Sequence, residues 1–330
     1  MISVAVNETS QVSQARRQAV DIAKANAFSE ADAGRVAIVA TELATNLIKH
    51  GGGGEILIGP YDDHGKNGIE VLALDRGKGM ANIEACFEDG FSKAGTAGNG
   101  LGAVARQSHV IDVVSWPGLG TAVLARLERG VPSPEPNRPH PPWGAVTVAM
   151  PGEDVNGDAW SAGDSSDGRT LFVADGLGHG PDAAEASVEA VRLFQRHKGH
   201  QVPTLLDYVH GGLRSTRGAA VSIARINPGR DKIMFSGIGN VAGAIVAPSG
   251  IRRMVSLSGT AGHVARKIQG FEYPFAGGLV ILHSDGLATS WTLDRYPGLL
   301  NAHPTLVAGV LYRDFARRRD DVTILVSSGE

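Results

Sequence analysis

The sequence predicts an α/β protein with two domains. Residues 130–142, GVPSPEPNRPHPP, contain six prolines and no periodic apolar pattern, which is typical of an extended linker. Before this linker, two helical patterns precede four short β-rich runs, and this order predicts a two-layer α/β sandwich over 1–129. After it, seven β-rich runs with three helical patterns predict two packed sheets flanked by helices over 143–330.

Composition limits the class of protein. A chain of 330 residues with 42% hydrophobic residues can form two cores, and a formal net charge of -3 favours neither nucleic acid nor anionic membrane as a partner. The first residues, MISVAVNETSQ, lack the pattern of a signal peptide, and no run approaches the ~20 apolar residues of a membrane span. A single cysteine, Cys86, excludes an internal disulfide, so we expect a cytoplasmic protein.

The N-terminal domain begins with helical patterns. Apolar residues recur at helical spacing from Val12 to Ile22. The stretch SEAD at 29–32 resembles a capping box, which predicts a second helix running to about His50. Strands are predicted for the runs EILIG, IEVLALD, VIDVVSW and TAVLARL.

Three segments of this domain carry candidate ligand-binding residues. The stretch ELATNLIKH places Glu42, Asn46 and His50 on one helical face, a pattern that is also typical of a solvated polar face. The strand in LALDRGKGM ends on Asp75 and continues in glycines, and AGTAGNGLGAVARQ is a glycine-rich loop that opens a helix near Leu101. Free backbone N–H groups and the helix dipole make such a helix end an anion site.

The ordered set E-x-x-x-N, D-x-G-x-G and G-x-G-L-G resembles the GHKL family of ATP-binding domains over essentially all of residues 1–129. This resemblance implies ATP with Mg²⁺ as the cofactor, with Asn46 holding the Mg²⁺ and Asp75 accepting the adenine amino group. The other cofactor-binding residues that it implies are Gly77 and Gly79, which admit the base, the phosphate loop with Gly98, Gly100, Leu101 and Gly102, and Thr121 beside the adenine.

Within this family, the stretch EDGFSKAGTAGNGLG at 88–102 is most similar to the RsbT-like serine kinases. That likeness implies that Glu42 is the catalytic base toward the serine hydroxyl of a partner protein. Phosphoryl transfer depends mainly on positioning and charge neutralisation, so one base and one metal ion would suffice.

The C-terminal domain contains several aspartates at strand ends. LFVADGLGHGPDAAEA at 171–186 ends an apolar strand on Asp175, a corner that suits either a phosphate at a helix N-terminus or a metal ion. Asp285 also ends a predicted strand, Asp320 and Asp321 begin one, and the stretch EDVNGDAW supplies Asp158. A single Asp-Gly pair marks an ordinary turn, but several carboxylates that converge repel one another unless they are protonated or share cations. The set therefore indicates Mg²⁺ or Mn²⁺.

The order G-D, A-D-G-L-G-H-G, S-D-G and D-D-x-T resembles the PPM-type metal-dependent serine/threonine phosphatases, in their SpoIIE and RsbX branch, from about 143 to 328. This resemblance implies a four-layer α-β-β-α sandwich and two Mn²⁺ or Mg²⁺ ions whose shared water attacks a phosphoserine. The implied ligands are a bridging, catalytic Asp175 with Asp158, Asp285, Asp320 and the Gly176 carbonyl. Asp320 is preferred to Asp321 because it takes the first position of D-D-x-T. SGTAGH at 258–263 resembles a loop of the RsbX branch and is assigned no chemistry.

Together the two resemblances imply a bifunctional switch in bacterial stress or sigma-factor signalling. The N-terminal domain would phosphorylate, and the C-terminal domain dephosphorylate, a STAS-domain phosphoprotein of the anti-sigma-antagonist or stressosome type. One alternative is a phosphatase whose GHKL domain only senses ATP, and another is a nucleotide-dependent anti-sigma-type binding protein. The presence of Glu42 argues against loss of kinase chemistry, and the aspartate set argues against an inactive phosphatase. Assembly into a homo-oligomer is left open.

Overall fold

The computed structural model describes residues 1–63, 66–83, 100–132 and 142–329. Residues 133–141 of the predicted linker and the predicted phosphate-loop residue Gly98 lie outside the described residues. The chain divides into two compact units. The first comprises Met1–Pro141 and Asn301–Arg313, and the second comprises Pro142–Leu300 and Asp314–Glu330.

The first unit contains one five-stranded antiparallel sheet in the order β1-β2-β3-β5-β4. Its elements up to the linker are β1 (Ile2–Val6), α1 (Thr9–Ala25), α2 (Glu30–Asn46), a π-helical turn (Leu47–Gly51), β2 (Gly54–Asp63), β3 (Lys66–Asp75), α3 (Gly100–Gln107), β4 (Val110–Trp116) and β5 (Gly120–Glu128). The two helices and four strands predicted here are therefore present, and the structure adds β1.

Local sequence signals explain this unit. The Ser29 hydroxyl accepts a hydrogen bond from the Asp32 backbone N–H at 3.1 Å and caps α2. Along β2, Ile56 and Ile58 pack with the helices in one core, whereas Leu57 is buried on the opposite face of the sheet. This alternation has the period of a strand, so both faces of the sheet must be covered.

The second unit contains two five-stranded antiparallel sheets, in the orders β15-β10-β9-β8-β7 and β12-β11-β16-β17-β6. Its helices are α4 (Pro181–His197) and α5 (Val202–Gly212). Its strands are β6 (Trp143–Val148), β7 (Asp158–Ser165), β8 (Gly168–Gly176), β9 (Ala219–Ile226), β10 (Lys232–Ile238), β11 (Ala242–Ala247), β12 (Gly250–Met254), β13 (Gly259–Thr260), β14 (Val264–Ala265), β15 (Phe271–Pro274), β16 (Leu279–His283) and β17 (Val322–Ser328).

The two sheets of this unit pack face to face. Leu171 and Phe235 of the first sheet lie in one core with Val280 and Leu325 of the second. On the outer face of the first sheet, Phe172 stacks on Phe194 of α4, with ring centroids 4.6 Å apart. Helices α4 and α5 therefore form one layer over two stacked sheets, which gives three of the four layers of the predicted α-β-β-α sandwich.

Helix α6 (Pro304–Phe315) follows β16 in the chain, yet its residues as far as Arg313 belong to the first unit. The sheet of that unit buries Leu57, Leu72, Leu74 and Leu124 on the face away from α1 and α2. A β-carbon on Gly309 would lie 2.7 Å from Cδ2 of Leu72, so α6 contacts this face directly. A segment that the sequence places with the C-terminal domain thus covers the N-terminal sheet.

The predicted fold class is confirmed: the protein is a mixed α/β chain with several antiparallel sheets. Among the helices of the described residues, none has both the length and the apolar character of a membrane span.

Candidate functional site

Asp75 lies at the end of β3, where neighbouring backbone holds its side chain. Its Oδ1 accepts hydrogen bonds from the backbone N–H of Gly77 at 2.8 Å and of Thr121 at 3.2 Å. Burial raises the pKa of Asp75, while these two N–H donors and the positive charges of Arg313 and His50 act in the opposite direction. The carboxylate is thus fixed through one oxygen, and Oδ2 is the oxygen that is left for a ligand.

Glycines allow the backbone to close around Asp75. A β-carbon on Gly77 would lie 2.7 Å from the Cα of Gly51, in the π-helical turn that follows α2. Gly79 has a φ of +68°, and a β-carbon there would lie 2.1 Å from the Trp116 carbonyl oxygen. The packing of the protein backbone therefore requires glycine at both positions after Asp75, independently of any ligand that binds there.

Thr121, predicted to lie beside the adenine, is next to Asp75 in the structure. Its hydroxyl is 2.8 Å from that of Ser115, which also accepts from the backbone N–H of Met80 at 2.7 Å. Ser115 connects the segment after Asp75 to β5, and sequence reasoning missed it. A lone serine within an apolar strand carries no local signal of such a role.

The predicted Mg²⁺ ligand Asn46 is the last residue of α2, one helical turn after Glu42, and both side chains are half-buried. A β-carbon on Gly100, the first residue of α3, would lie 3.3 Å from Oδ1 of Asn46. The structure therefore brings the predicted metal ligand and the end of the phosphate loop together. The other two phosphate-loop residues that are described, Leu101 and Gly102, are buried in α3.

In the second unit, Asp158 and Asp175 lie directly opposite each other. Asp158 is the first residue of β7, and its partner in the antiparallel register is Asp175, next to the end of β8. The other two predicted ligands belong to the second sheet. Asp285 comes just after β16, and Asp320 just before β17, the antiparallel neighbour of β16. The two sheets thus present carboxylates from four strand ends.

Burial and mutual repulsion shift the protonation of these carboxylates. Burial, followed by the negative charges of Asp158, Asp285, Asp320 and Asp321, raises the pKa of Asp175 to about 9. Burial likewise raises the pKa of Asp158 to about 7, although a hydrogen bond from the Ser284 hydroxyl lowers it. Carboxylates with such raised pKa values bind cations in place of protons, because a cation relieves both the burial of charge and the mutual repulsion.

The structure distinguishes Asp320 from Asp321. Both side-chain oxygens of Asp321 accept backbone hydrogen bonds, one from the Met150 N–H at 2.8 Å and one from the Gly157 N–H at 2.9 Å. Asp320 accepts from the backbone N–H of Asp321 at 3.0 Å and is hydrogen-bonded to Asp285. Asp321 therefore anchors two loops, whereas Asp320 is hydrogen-bonded to another predicted ligand, Asp285.

Two further polar residues orient the cluster. The Ser284 hydroxyl donates to Oδ2 of Asp158 at 2.7 Å and accepts from the Thr323 N–H at 2.9 Å. The Asn240 amide donates to Oδ2 of Asp285 at 2.6 Å. Sequence reasoning missed both residues. Ser284 lies in the quoted S-D-G motif, whereas Asn240 is 45 residues from its partner.

A cavity of about 420 Å³ adjoins the cluster at Asn240. It is lined by Leu177, Ala220, Gly239, Asn240, Ser258, Gly259 and Thr260. Three of these residues belong to the SGTAGH stretch, so this stretch lies beside the aspartates.

The residues of the cluster fit a hard divalent cation by their chemistry. Among the residues described, no three His, Cys, Asp or Glu side chains already form a metal-binding group. The donors that converge are carboxylate oxygens, which Mg²⁺ and Mn²⁺ prefer, and their raised pKa values show uncompensated negative charge. At the predicted carbonyl ligand Gly176, a β-carbon would lie 2.0 Å from the Ala183 carbonyl oxygen, so glycine is required there for α4 to pack on β8.

Comparison with known proteins identifies a family and a curated relative. Residues 5–127 match the family described as the histidine kinase-like ATPase domain. The serine/threonine-protein kinase RsbT of Bacillus subtilis (strain 168) is 36% identical over 111 residues, which are 34% of this chain and 84% of RsbT.

Two solved structures are similar to part of this chain. A chain from a study described as "The bacterial stressosome: a modular system that has been adapted to control secondary messenger signaling" is 25% identical, with a TM-score of 0.52, and the match covers 56% of this chain and 97% of that chain. RsbX in complex with magnesium is 22% identical, with a TM-score of 0.48, and the match covers 59% of this chain and 97% of RsbX. The resemblance to GHKL-type ATP-binding domains and RsbT-like serine kinases that the sequence indicated is confirmed.

Proposed function

Because this chain belongs to the family of the serine/threonine-protein kinase RsbT, we propose that it is a bifunctional regulatory enzyme that both phosphorylates and dephosphorylates a STAS-domain protein. The observation that carries the proposal is the presence, in one chain, of an RsbT-like unit and a separate cluster of mutually repelling aspartates. The first supplies the residues of phosphoryl transfer from ATP, and the second supplies those of phosphate hydrolysis.

In the kinase unit, Glu42 accepts the proton of the partner's hydroxyl group, and Asn46, one helical turn later, holds Mg²⁺ at the phosphates. Oδ2 of Asp75 accepts from the adenine amino group while Oδ1 stays bound to the Gly77 and Thr121 backbone. The N-terminus of α3 at Gly100 faces the phosphates. The closeness of Gly100 to Asn46 supports this assignment, since it brings the metal ligand to the phosphate end of the nucleotide.

In the phosphatase unit, the residues that would hold two divalent cations are Asp158, Asp175, Asp285, Asp320 and the Gly176 carbonyl. Divalent cations at such a site supply activation of water and neutralisation of phosphoryl charge. Ser284 and Asn240 orient Asp158 and Asp285 through the hydrogen bonds described above. Asp321 keeps the loops of Met150 and Gly157 in place around the site.

The proposed partner is a cytoplasmic phosphoprotein with a STAS domain, of the anti-sigma-antagonist or stressosome type. Its support is the membership of the RsbT family and the similarity to a chain from the stressosome study, at 25% identity and a TM-score of 0.52. The two units would add and remove phosphate on the same side chain, so the ratio of their activities would set the phosphorylated fraction.

The test uses two variants that disable one activity each. Glu42→Gln keeps the size of the side chain but removes the base, so partner phosphorylation should fall by about 10² to 10⁴ while ATP still binds. Asp175→Asn removes a carboxylate that would hold the cations, so removal of phosphate should collapse while phosphorylation continues. With ATP and a STAS-domain partner encoded beside this chain, intact mass should show phosphorylated partner accumulating with Asp175→Asn and unphosphorylated partner with Glu42→Gln.

Matched controls are Glu30→Gln, an exposed glutamate at the start of α2, and Asp207→Asn, an exposed aspartate of α5, which should both behave as wild type. If the wild type only removes phosphate, and does so in an ATP-dependent way, the first unit is a nucleotide sensor. If the wild type binds the partner with ATP but changes its phosphorylation in neither direction, the protein is a nucleotide-dependent binding protein. Either result would contradict the bifunctional proposal.

A further inference from the structure

Helix α6 is held on the sheet of the first unit by polar contacts at both of its ends. Near its start, the Arg126 guanidinium donates to the hydroxyl of Thr305 at 3.1 Å. Near its other end, the Tyr312 hydroxyl donates to Glu55 at 2.7 Å. Between these points, Gly309 lies against Leu72. The helix is therefore docked in a defined register on a nucleotide-binding unit from which it is remote in the sequence.

The last residue that α6 contributes to this unit, Arg313, contacts the backbone of Asp75. Its guanidinium donates to the Asp75 carbonyl oxygen at 2.8 Å, and its own carbonyl accepts from the guanidinium of Arg76. The Arg313 side chain is almost entirely buried, with the residue 4% exposed, so these contacts are made away from solvent. Arg313 thus fixes the main chain of the residue whose side chain is proposed to bind the adenine.

We propose that Arg313 is a positioning residue of the ATP site, so that nucleotide affinity depends on the docking of α6. The proposal rests on the proposed function, because it takes Asp75 as the acceptor of the adenine amino group. Oδ1 of Asp75 is held by Gly77 and Thr121 and its carbonyl by Arg313, so three contacts set where Oδ2 points. Loss of the contact to Arg313 removes one of these three contacts, so Oδ2 is held less firmly although Asp75 stays paired with Gly54 of β2.

The coupling is reciprocal by thermodynamic necessity. If docked α6 strengthens ATP binding, bound ATP stabilises docked α6 by the same factor. The chain leaves the first unit immediately after Arg313 and reaches the predicted metal ligand Asp320 seven residues later. Nucleotide occupancy would therefore act on the segment that leads into the aspartate cluster.

The charge of Arg313 provides a readout that separates positioning from mere stability. Arg313 and His50 are the positive groups that lower the pKa of Asp75 against its burial, and Arg76 is its neighbour in the chain. With Arg313→Gln, the pKa of Asp75 should rise. The ionised carboxylate is the better acceptor, so ATP affinity falls when Asp75 is protonated. As the pH is lowered, the affinity of the variant should therefore begin to fall at a higher pH than that of the wild type.

The experiment measures ATP affinity of the full-length chain by calorimetry, with Mg²⁺, from about pH 5 to pH 8.5. Arg313→Gln should weaken ATP binding about tenfold at neutral pH, the size expected for one hydrogen bond to a charged group, and should shift the pH profile upward. Arg313→Lys retains the charge and should restore the wild-type profile. Arg129→Gln removes the same charge from an exposed position of the first unit and should change neither quantity.

Hydrogen exchange gives a second test that needs no variant. In the wild type, the backbone N–H groups of α6 should exchange more slowly when ATP is added, because occupancy and docking are linked. Equal exchange with and without saturating ATP would overturn the proposal. The proposal would also be overturned if Arg313→Gln bound ATP with wild-type affinity across the pH range. A loss of affinity that is the same at every pH and is not restored by Arg313→Lys would overturn it too. Failure of the wild type to bind ATP would overturn the proposed function together with this proposal, whereas the results above would overturn only the proposed role of Arg313.

Discussion

Replacement of Asp75 by asparagine should lower ATP affinity without lowering the stability of the fold. In the structure, Oδ1 accepts from Gly77 and Thr121, and an asparagine oxygen can take over both hydrogen bonds. The amide nitrogen then replaces Oδ2, so a donor faces the adenine amino group. One charge-assisted hydrogen bond is lost, which corresponds to about 1.5–3 kcal/mol or a ten- to hundredfold weaker Kd.

Stability should respond in the opposite direction. Burial raises the pKa of Asp75, so the contribution of this group to folding is greatest when it is protonated and is lost as pH rises from its ordinary pKa through the raised value. Asparagine carries no charge and lacks this loss. At pH 7.5 without nucleotide, Asp75→Asn should therefore melt at the same temperature as the wild type or above it.

Calorimetric titration with ATP and Mg²⁺ measures the first effect, and thermal unfolding without nucleotide measures the second. Asp21→Asn, an exposed aspartate of α1, is the matched control and should leave both unchanged. Unchanged ATP affinity in Asp75→Asn would remove Asp75 from the site. A joint fall of affinity and melting temperature would show that Asp75 acts in folding rather than in binding.

Two further predictions concern the aspartate cluster. Asp321→Asn should cost about 1–3 kcal/mol of stability in denaturant unfolding, because an amide can accept from only one of the Met150 and Gly157 N–H groups. Asp320→Asn should instead weaken Mn²⁺ binding in a titration, with little loss of stability. The opposite assignment of the two effects would contradict this prediction. Without divalent cations, the stability of the fold should fall as pH rises through about 7 and 9, the raised pKa values of Asp158 and Asp175, because the folded state binds more protons than the unfolded one. In thermal unfolding, Mn²⁺ should reverse this fall and Asp175→Asn should reduce it. A metal-free stability that does not depend on pH would contradict the prediction.

The sequence by itself determines those features of this protein that depend on interactions between residues close together in the chain. The cap at Ser29, the alternation along β2 and the Asp-Gly ends of strands all act between residues a few positions apart. They were sufficient to predict the two-layer first domain and the two sheets of the second, whereas Thr121 beside Asp75 was implied by the family resemblance. Strand β7, which carries Asp158, was missed because DAWSAGDS has few apolar residues and no clear alternation.

Only the tertiary structure shows that two adjacent aspartates make different contacts. Asp320 and Asp321 have the same chemistry, and their order in a motif is only a resemblance. The N–H groups of Met150 and Gly157, more than 160 residues away, bind both oxygens of Asp321, whereas Asp320 is hydrogen-bonded to Asp285. Which donors reach a carboxylate is a property of packing that no local pattern encodes.

The same reason explains why α6 had to be found in the structure. Its apolar residues predict a helix, and the helix is present, but the partner of an apolar face is chosen by the shape and burial of the remaining surfaces. The sheet of the first unit has a second apolar face with Leu57, Leu72 and Leu74, and the small residue Gly309 lets α6 approach it closely. The sequence thus determined the helix and the sheet face separately, and only the fold, by bringing them together, placed Arg313 at Asp75.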